Sequence, residues 1–168
     1  MVESLKLDIQ GIHEYQQNRY PYLLMDVVEE VIPGMSAKGY KNLTINDWFF
    51  TPHFPGDPNM PGMLQIEALV QMSALTVLTL PGNKGKVCYL VSANNLKWLR
   101  KIVPGDRFDM ETKLLSWKRG IAKCTGSARV NGEFACSAEF TIVMPDVLNT
   151  YKVSSQTNQT SARSTPAE

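Results

Sequence analysis

The sequence predicts a single α+β domain, an antiparallel sheet curled about one long helix, and three observations carry that prediction. An apolar stretch of 18 residues, Met63 to Leu80, stops at Pro81-Gly82-Asn83. Six other segments read as strands, separated by Pro-Gly, Arg-Gly and Asn-Gly turn signals. The chain has 168 residues, enough for one sizeable core and scarcely enough for two.

The helix comes first in the argument because the rest wraps it. Twelve of its 18 residues are apolar, too many for a surface helix, so it reads as the buried axis of the domain. Breaker residues bound it on both sides, Pro61-Gly62 before and Pro81-Gly82 after. Strands are predicted over residues 22–31, 35–43, 87–95, 107–117, 121–130 and 134–144. In the last two, Ala122, Cys124, Ala128 and Val130 alternate inward, as do Phe134, Cys136, Ala138, Phe140 and Ile142. A two-residue turn at Asn131-Gly132 would pair even positions with odd ones, so a three-residue loop with Gly132 left-handed is expected. Cys124 should then face a residue near 138 or 140, not Cys136. The folded domain is expected over residues 1–148. Residues 149–168, with eight Ser/Thr among 20, read as a polar, disordered tail.

Composition narrows the function. With 17 Lys+Arg against 16 Asp+Glu, the net charge of +1 supplies no global field for nucleic acid or an anionic membrane. No uninterrupted apolar run approaches the roughly 20 residues of a membrane span, so none is expected. Residues 1–8 lack a basic segment followed by an apolar one, which predicts a cytoplasmic protein. Cys88, Cys124 and Cys136 lack CxxC spacing and the chain has two histidines, so free thiols and no metal are expected.

Chemistry concentrates around the helix start. The segment from Thr51 to Met63 holds four prolines and two glycines, a constrained loop that presents His53. Imidazole, with an unperturbed pKa of about 6.5, suits proton abstraction near neutrality. At 100° per residue Glu67 shares its helix face with Met63, Val70, Ala74 and Leu78, where a carboxylate is unfavourable unless neutral or paired. Burial should raise its pKa, and Gln71, four residues on, can orient it. Gly62 offers a backbone N–H among the unsatisfied donors of the helix start, with no side chain to block a carbonyl oxygen. A base, an acid and an oxyanion donor fit proton abstraction next to a carbonyl with loss of a β-substituent.

Four segments carry a resemblance: Arg19-Tyr-Pro-Tyr-Leu-Leu-Met-Asp26, His53-Phe-Pro-Gly-Asp-Pro-Asn-Met-Pro-Gly62, Leu64-Gln-Ile-Glu-Ala-Leu-Val-Gln71 and Val103-Pro-Gly-Asp106. Over about residues 10–146 the chain resembles the FabZ-type (3R)-hydroxyacyl-[acyl-carrier-protein] dehydratases. The resemblance implies a hotdog fold, a homodimer with joined sheets and active sites at the interface, and often a trimer of dimers. It implies His53 as catalytic histidine, Glu67 as carboxylate contributed by the neighbouring protomer, and Gly62 as the amide holding the thioester carbonyl. It also implies no cofactor beyond the phosphopantetheine arm of the substrate's acyl carrier protein. Lys97, Arg100 and Lys101, beside Trp98 and Leu99, are the candidate docking patch for that acidic partner. Glutamate at position 67, where the related FabA enzymes carry aspartate, implies dehydration without isomerisation. Asn18 stands where the family usually has histidine, and Pro52 where it has glycine. Two other readings share the fold: an acyl thioesterase in which Glu67 activates water, and a non-catalytic acyl-binding subunit of a synthase.

Overall fold

The structure, a computed structural model, describes residues 3–151. Seven strands form one antiparallel sheet: β1 (Leu5–Leu7), β2 (Val27–Ile32), β3 (Ser36–Asn42), β4 (Tyr89–Trp98), β5 (Arg107–Lys118), β6 (Ile121–Val130) and β7 (Glu133–Val143). Their order across the sheet is β1-β2-β3-β5-β6-β7-β4. A short helix, α1 (Ile9–Tyr15), precedes the long one, α2 (Gly62–Leu78). The arrangement is the expected hotdog. Thirteen of the 17 residues of α2 are buried, so the sheet covers it on nearly every side.

A helix so enclosed satisfies most of its polar side-chain atoms internally, Gln65 Oε1 being an exception. Ser73 Oγ donates to Val70 O at 2.9 Å and Thr76 Oγ1 to Ser73 O at 2.7 Å, each bonding back onto its own helix. The helix ends two residues before the predicted Leu80. Asn83 Nδ2 donates to Val77 O at 3.0 Å and satisfies one of the free terminal carbonyls.

Two predictions about the strands are corrected. Residues 22–26 lie outside β2: Tyr22 O and Leu24 N–H bond to the Gln71 side chain of α2, and the pairing with β3 begins at Asp26, whose N–H donates to Tyr40 O at 2.9 Å. The β6–β7 connection is a two-residue turn, with Val130 opposite Glu133 and positive φ at both Asn131 (52°) and Gly132 (81°). Such a turn follows the twist of the strands, and Asn-Gly tolerates both left-handed positions. The parity conflict is resolved by a bulge: Arg129 pairs with Phe134, yet Ala128 pairs with Cys136, leaving Ala135 extra. Phe134 therefore lies on the outer face, under the Arg129 guanidinium at 5.5 Å, and not inward as its alternation suggested. Beyond the bulge the inward set holds, with Cys124 opposite Phe140.

β1 and α1 were not anticipated, since three and seven residues are too short for a clear period. Residues 145–151 are helical and cross the predicted boundary at 148, while the rest of the predicted tail lies outside the described residues. β4 occupies one edge of the sheet, with Tyr89, Leu90, Val91 and Trp98 exposed along it. Among the described residues no helix is long and apolar enough to cross a membrane.

Candidate active site

The proline-rich loop between β3 and α2 places His53 by contacts within a few residues. Its N–H donates to Phe49 O at 3.2 Å, and its ring stacks on Phe54 with centroids 4.0 Å apart. The Tyr20–Pro21 and His53–Phe54 peptide bonds are cis. His53 Nδ1 lies 2.7 Å from Asn59 O. A carbonyl oxygen can only accept, so Nδ1 carries the hydrogen and the Nε2 lone pair is left for an incoming proton.

Glu67, one turn and a half into α2, is half-buried. Its Oε1 accepts from Gln71 Nε2 at 2.9 Å. Desolvation pushes its carboxyl above the usual range, and the Gln71 bond, which favours the anion, only partly opposes that. Gln71 also donates to Tyr22 O at 2.7 Å and accepts from Leu24 N at 2.9 Å, so the segment before β2, the helix and the carboxyl form one network. Glu67 opens onto a cavity of about 360 Å³ lined also by Asn18, Tyr22, Val70, Ala74, Cys88 and Leu90. The Tyr22 phenol is pushed up by burial and then by the Glu67 charge.

Gly62 is the first residue of α2, and the first helical hydrogen bonds are those donated by Leu64 and Gln65 to Pro61 O. Its own N–H precedes that ladder, at the positive end of the helix dipole. Glycine permits a close approach here: an added Cβ would lie 2.8 Å from Trp98 Nε1 and 2.9 Å from Cε2, and the indole would have to move. The same indole donates to Gly62 O at 2.9 Å.

Within one chain His53 is not among the residues that line the Glu67 cavity. The cations of the candidate docking patch are also mostly engaged. Arg100 pairs with Glu133 at 3.0 Å and Asp106 at 3.7 Å, and Lys101 with Asp57 at 2.6 Å. Lys97 alone of the three has no ion-pair partner among the described residues. The sequence reading overlooked Asn59 and the Trp98 contact with Gly62. An asparagine in a proline-rich turn was a signal for Asn59, whereas nothing local tells that Trp98 meets Gly62.

The chain is similar to known proteins in sequence and in fold. A family model described as a FabA-like domain matches residues 17–139. The chain is 46% identical over 137 residues to a 3-hydroxyacyl-[acyl-carrier-protein] dehydratase FabZ of Clostridium novyi (strain NT), covering 80% of this chain and 95% of the relative. It is 39% identical over 138 residues to the FabZ dehydratase of Bacillus subtilis (strain 168), covering 82% and 98%. Among solved structures, the dehydratase heterocomplex ApeI:P from Xenorhabdus doucetiae aligns with a TM-score of 0.69 at 15% identity, covering 80% of this chain and 90% of that one. At that identity the likeness speaks for the fold.

Proposed function

The chain belongs to the FabA-like family, its curated relatives are FabZ-type dehydratases, and from that membership we propose how its own residues remove water from a 3-hydroxyacyl-[acyl-carrier-protein]. The observation that carries the reading is Glu67, a carboxyl raised by desolvation, held by Gln71 and facing a cavity. A carboxyl whose pKa is raised by burial holds its proton more strongly and can serve as a general acid. His53 Nε2 takes a proton from C2 of the (3R)-hydroxyacyl thioester. The thioester carbonyl gains enolate character, and the Gly62 N–H and the helix dipole hold its oxygen. Glu67 gives its proton to the 3-hydroxyl as the C3–O bond breaks, so water leaves and the trans-2-enoyl thioester remains. Only protons and water move, and the reading requires no metal or redox group.

His53 does not line the Glu67 cavity of its own chain, and β4 is an edge strand with exposed apolar side chains. In this reading two copies join at their β4 edges, and each site takes His53 and Gly62 from one protomer and Glu67 from the other. Carrier protein reaches the site past Lys97, with Arg100 and Lys101 contributing through their ion pairs.

Subunit mixing tests this. His53→Ala and Glu67→Gln should each abolish most turnover while remaining folded. Co-refolded in equal amounts, they should recover about a quarter of wild-type activity, because half the dimers then carry one intact site. No recovery would place both groups in one chain, and near-normal turnover in either variant would remove that residue from the mechanism. Inertness toward an acyl thioester lacking the 3-hydroxyl separates dehydration from hydrolysis.

A further inference from the structure

The turn that carries His53 is fastened to the segment between β4 and β5 by bonds that the proposed chemistry does not use. Asn59 N–H donates to His53 O at 2.8 Å, and Asn59 O accepts from His53 Nδ1 at 2.7 Å. Asn59 Oδ1 accepts from Ile102 N–H at 2.9 Å, while Met60 N–H donates to Ile102 O at 2.8 Å. The carbonyl that holds the imidazole and the Met60 N–H belong to the same peptide plane. Ile102 therefore holds Asn59 at two points, its carbonyl taking the N–H of that peptide and its N–H taking the Asn59 side chain, while the carbonyl of the same peptide faces His53. Ile102 and Met60 are fully buried, so the anchor cannot exchange these bonds for water. Farther out, Lys101 Nζ reaches both carboxylate oxygens of Asp57, at 2.8 and 2.6 Å, and ties the same turn to the same segment.

We propose that Asn59 is a positioning residue for His53: its side-chain oxygen fixes the peptide that sets the imidazole tautomer, with the Lys101–Asp57 pair as a second fastening. A carbonyl selects a tautomer only if its peptide cannot rotate. The inference rests on the reading of His53 as the base, and the experiment separates the two.

The chain has two histidines, so ¹⁵N–¹H correlation of the imidazoles is assignable with His13→Gln as control. Wild type should show His53 with hydrogen on Nδ1. Asn59→Leu, similar in size but without an acceptor, should show mixed tautomers and a kcat about tenfold to a hundredfold lower, with KM changed less than about twofold. Asn59→Asp, which keeps the acceptor, should retain the Nδ1–H form and most of kcat. Lys101→Met, at an exposed pair, should lower kcat by about twofold to fivefold and broaden the same signal. A wild-type imidazole signal and kcat in Lys101→Met and in every Asn59 variant that folds would overturn the proposal. If His53→Ala keeps its turnover, the base reading fails, yet the tautomer change in Asn59→Leu still reports the fastening.

Discussion

Replacing Gln71 by leucine should damage both the fold and the acid. Gln71 is 3% exposed and makes three side-chain hydrogen bonds, to Tyr22 O, from Leu24 N and to Glu67 Oε1. Leucine fills similar space but leaves the N–H of Leu24, itself 1% exposed, and the Tyr22 carbonyl without partners. Orphaning a buried polar group costs about 1–3 kcal/mol; with Tyr22 partly open to solvent, the sum is about 2–4 kcal/mol. Native stabilities are about 5–15 kcal/mol, so this is a large fraction. Urea unfolding at fixed protein concentration should show a midpoint about 1–2 M lower with an unchanged slope. The same substitution removes the bond that favours the Glu67 anion, so the carboxyl should rise further and the basic limb of the activity profile should move to higher pH. A midpoint shift worth less than about 0.5 kcal/mol would refute the claim that Gln71 holds residues 22–24 onto α2. An unmoved basic limb would sever Glu67 from the role of acid.

Two further outcomes follow from the same geometry. Gly62→Ala should displace the Trp98 indole, whose Nε1 would lie 2.8 Å from the new methyl, and break its bond to Gly62 O. Tryptophan emission should change and turnover fall at least about tenfold, and an unaltered spectrum would show that the indole does not rest on the helix start. Glu67→Gln should stabilise the fold in a pH-dependent way. With the folded pKa raised above the unfolded value of about 4.3, native protein binds more protons between the two, and wild type loses stability as pH rises through that window. Glutamine does not titrate, so its advantage should be present at pH 8 and absent at pH 4 in thermal melts. Equal differences at both would contradict the burial of this carboxyl.

How much the sequence determined depends on how far each decision reaches along the chain. Periodicity and breakers are local, and they specified α2, the cores of β2 to β7 and the constrained loop before the helix. They also marked Glu67 as misplaced for a solvated face, since its apolar neighbours lie within about three turns of the same helix. The Asn131-Gly132 turn shows the limit: its residues permit two loop lengths, and a bulge at Ala128–Arg129 decided between them. Residues 22–24 look like strand until Gln71, more than 40 residues away, takes the Tyr22 carbonyl and the Leu24 N–H. Arg100 and Lys101 look free until Glu133, Asp106 and Asp57 are brought beside them. Most of the long secondary-structure elements were written in neighbours along the chain. The partners of each hydrogen-bonding and charged group were settled only in three dimensions, because those interactions act over a few ångströms of space and carry no trace of sequence separation.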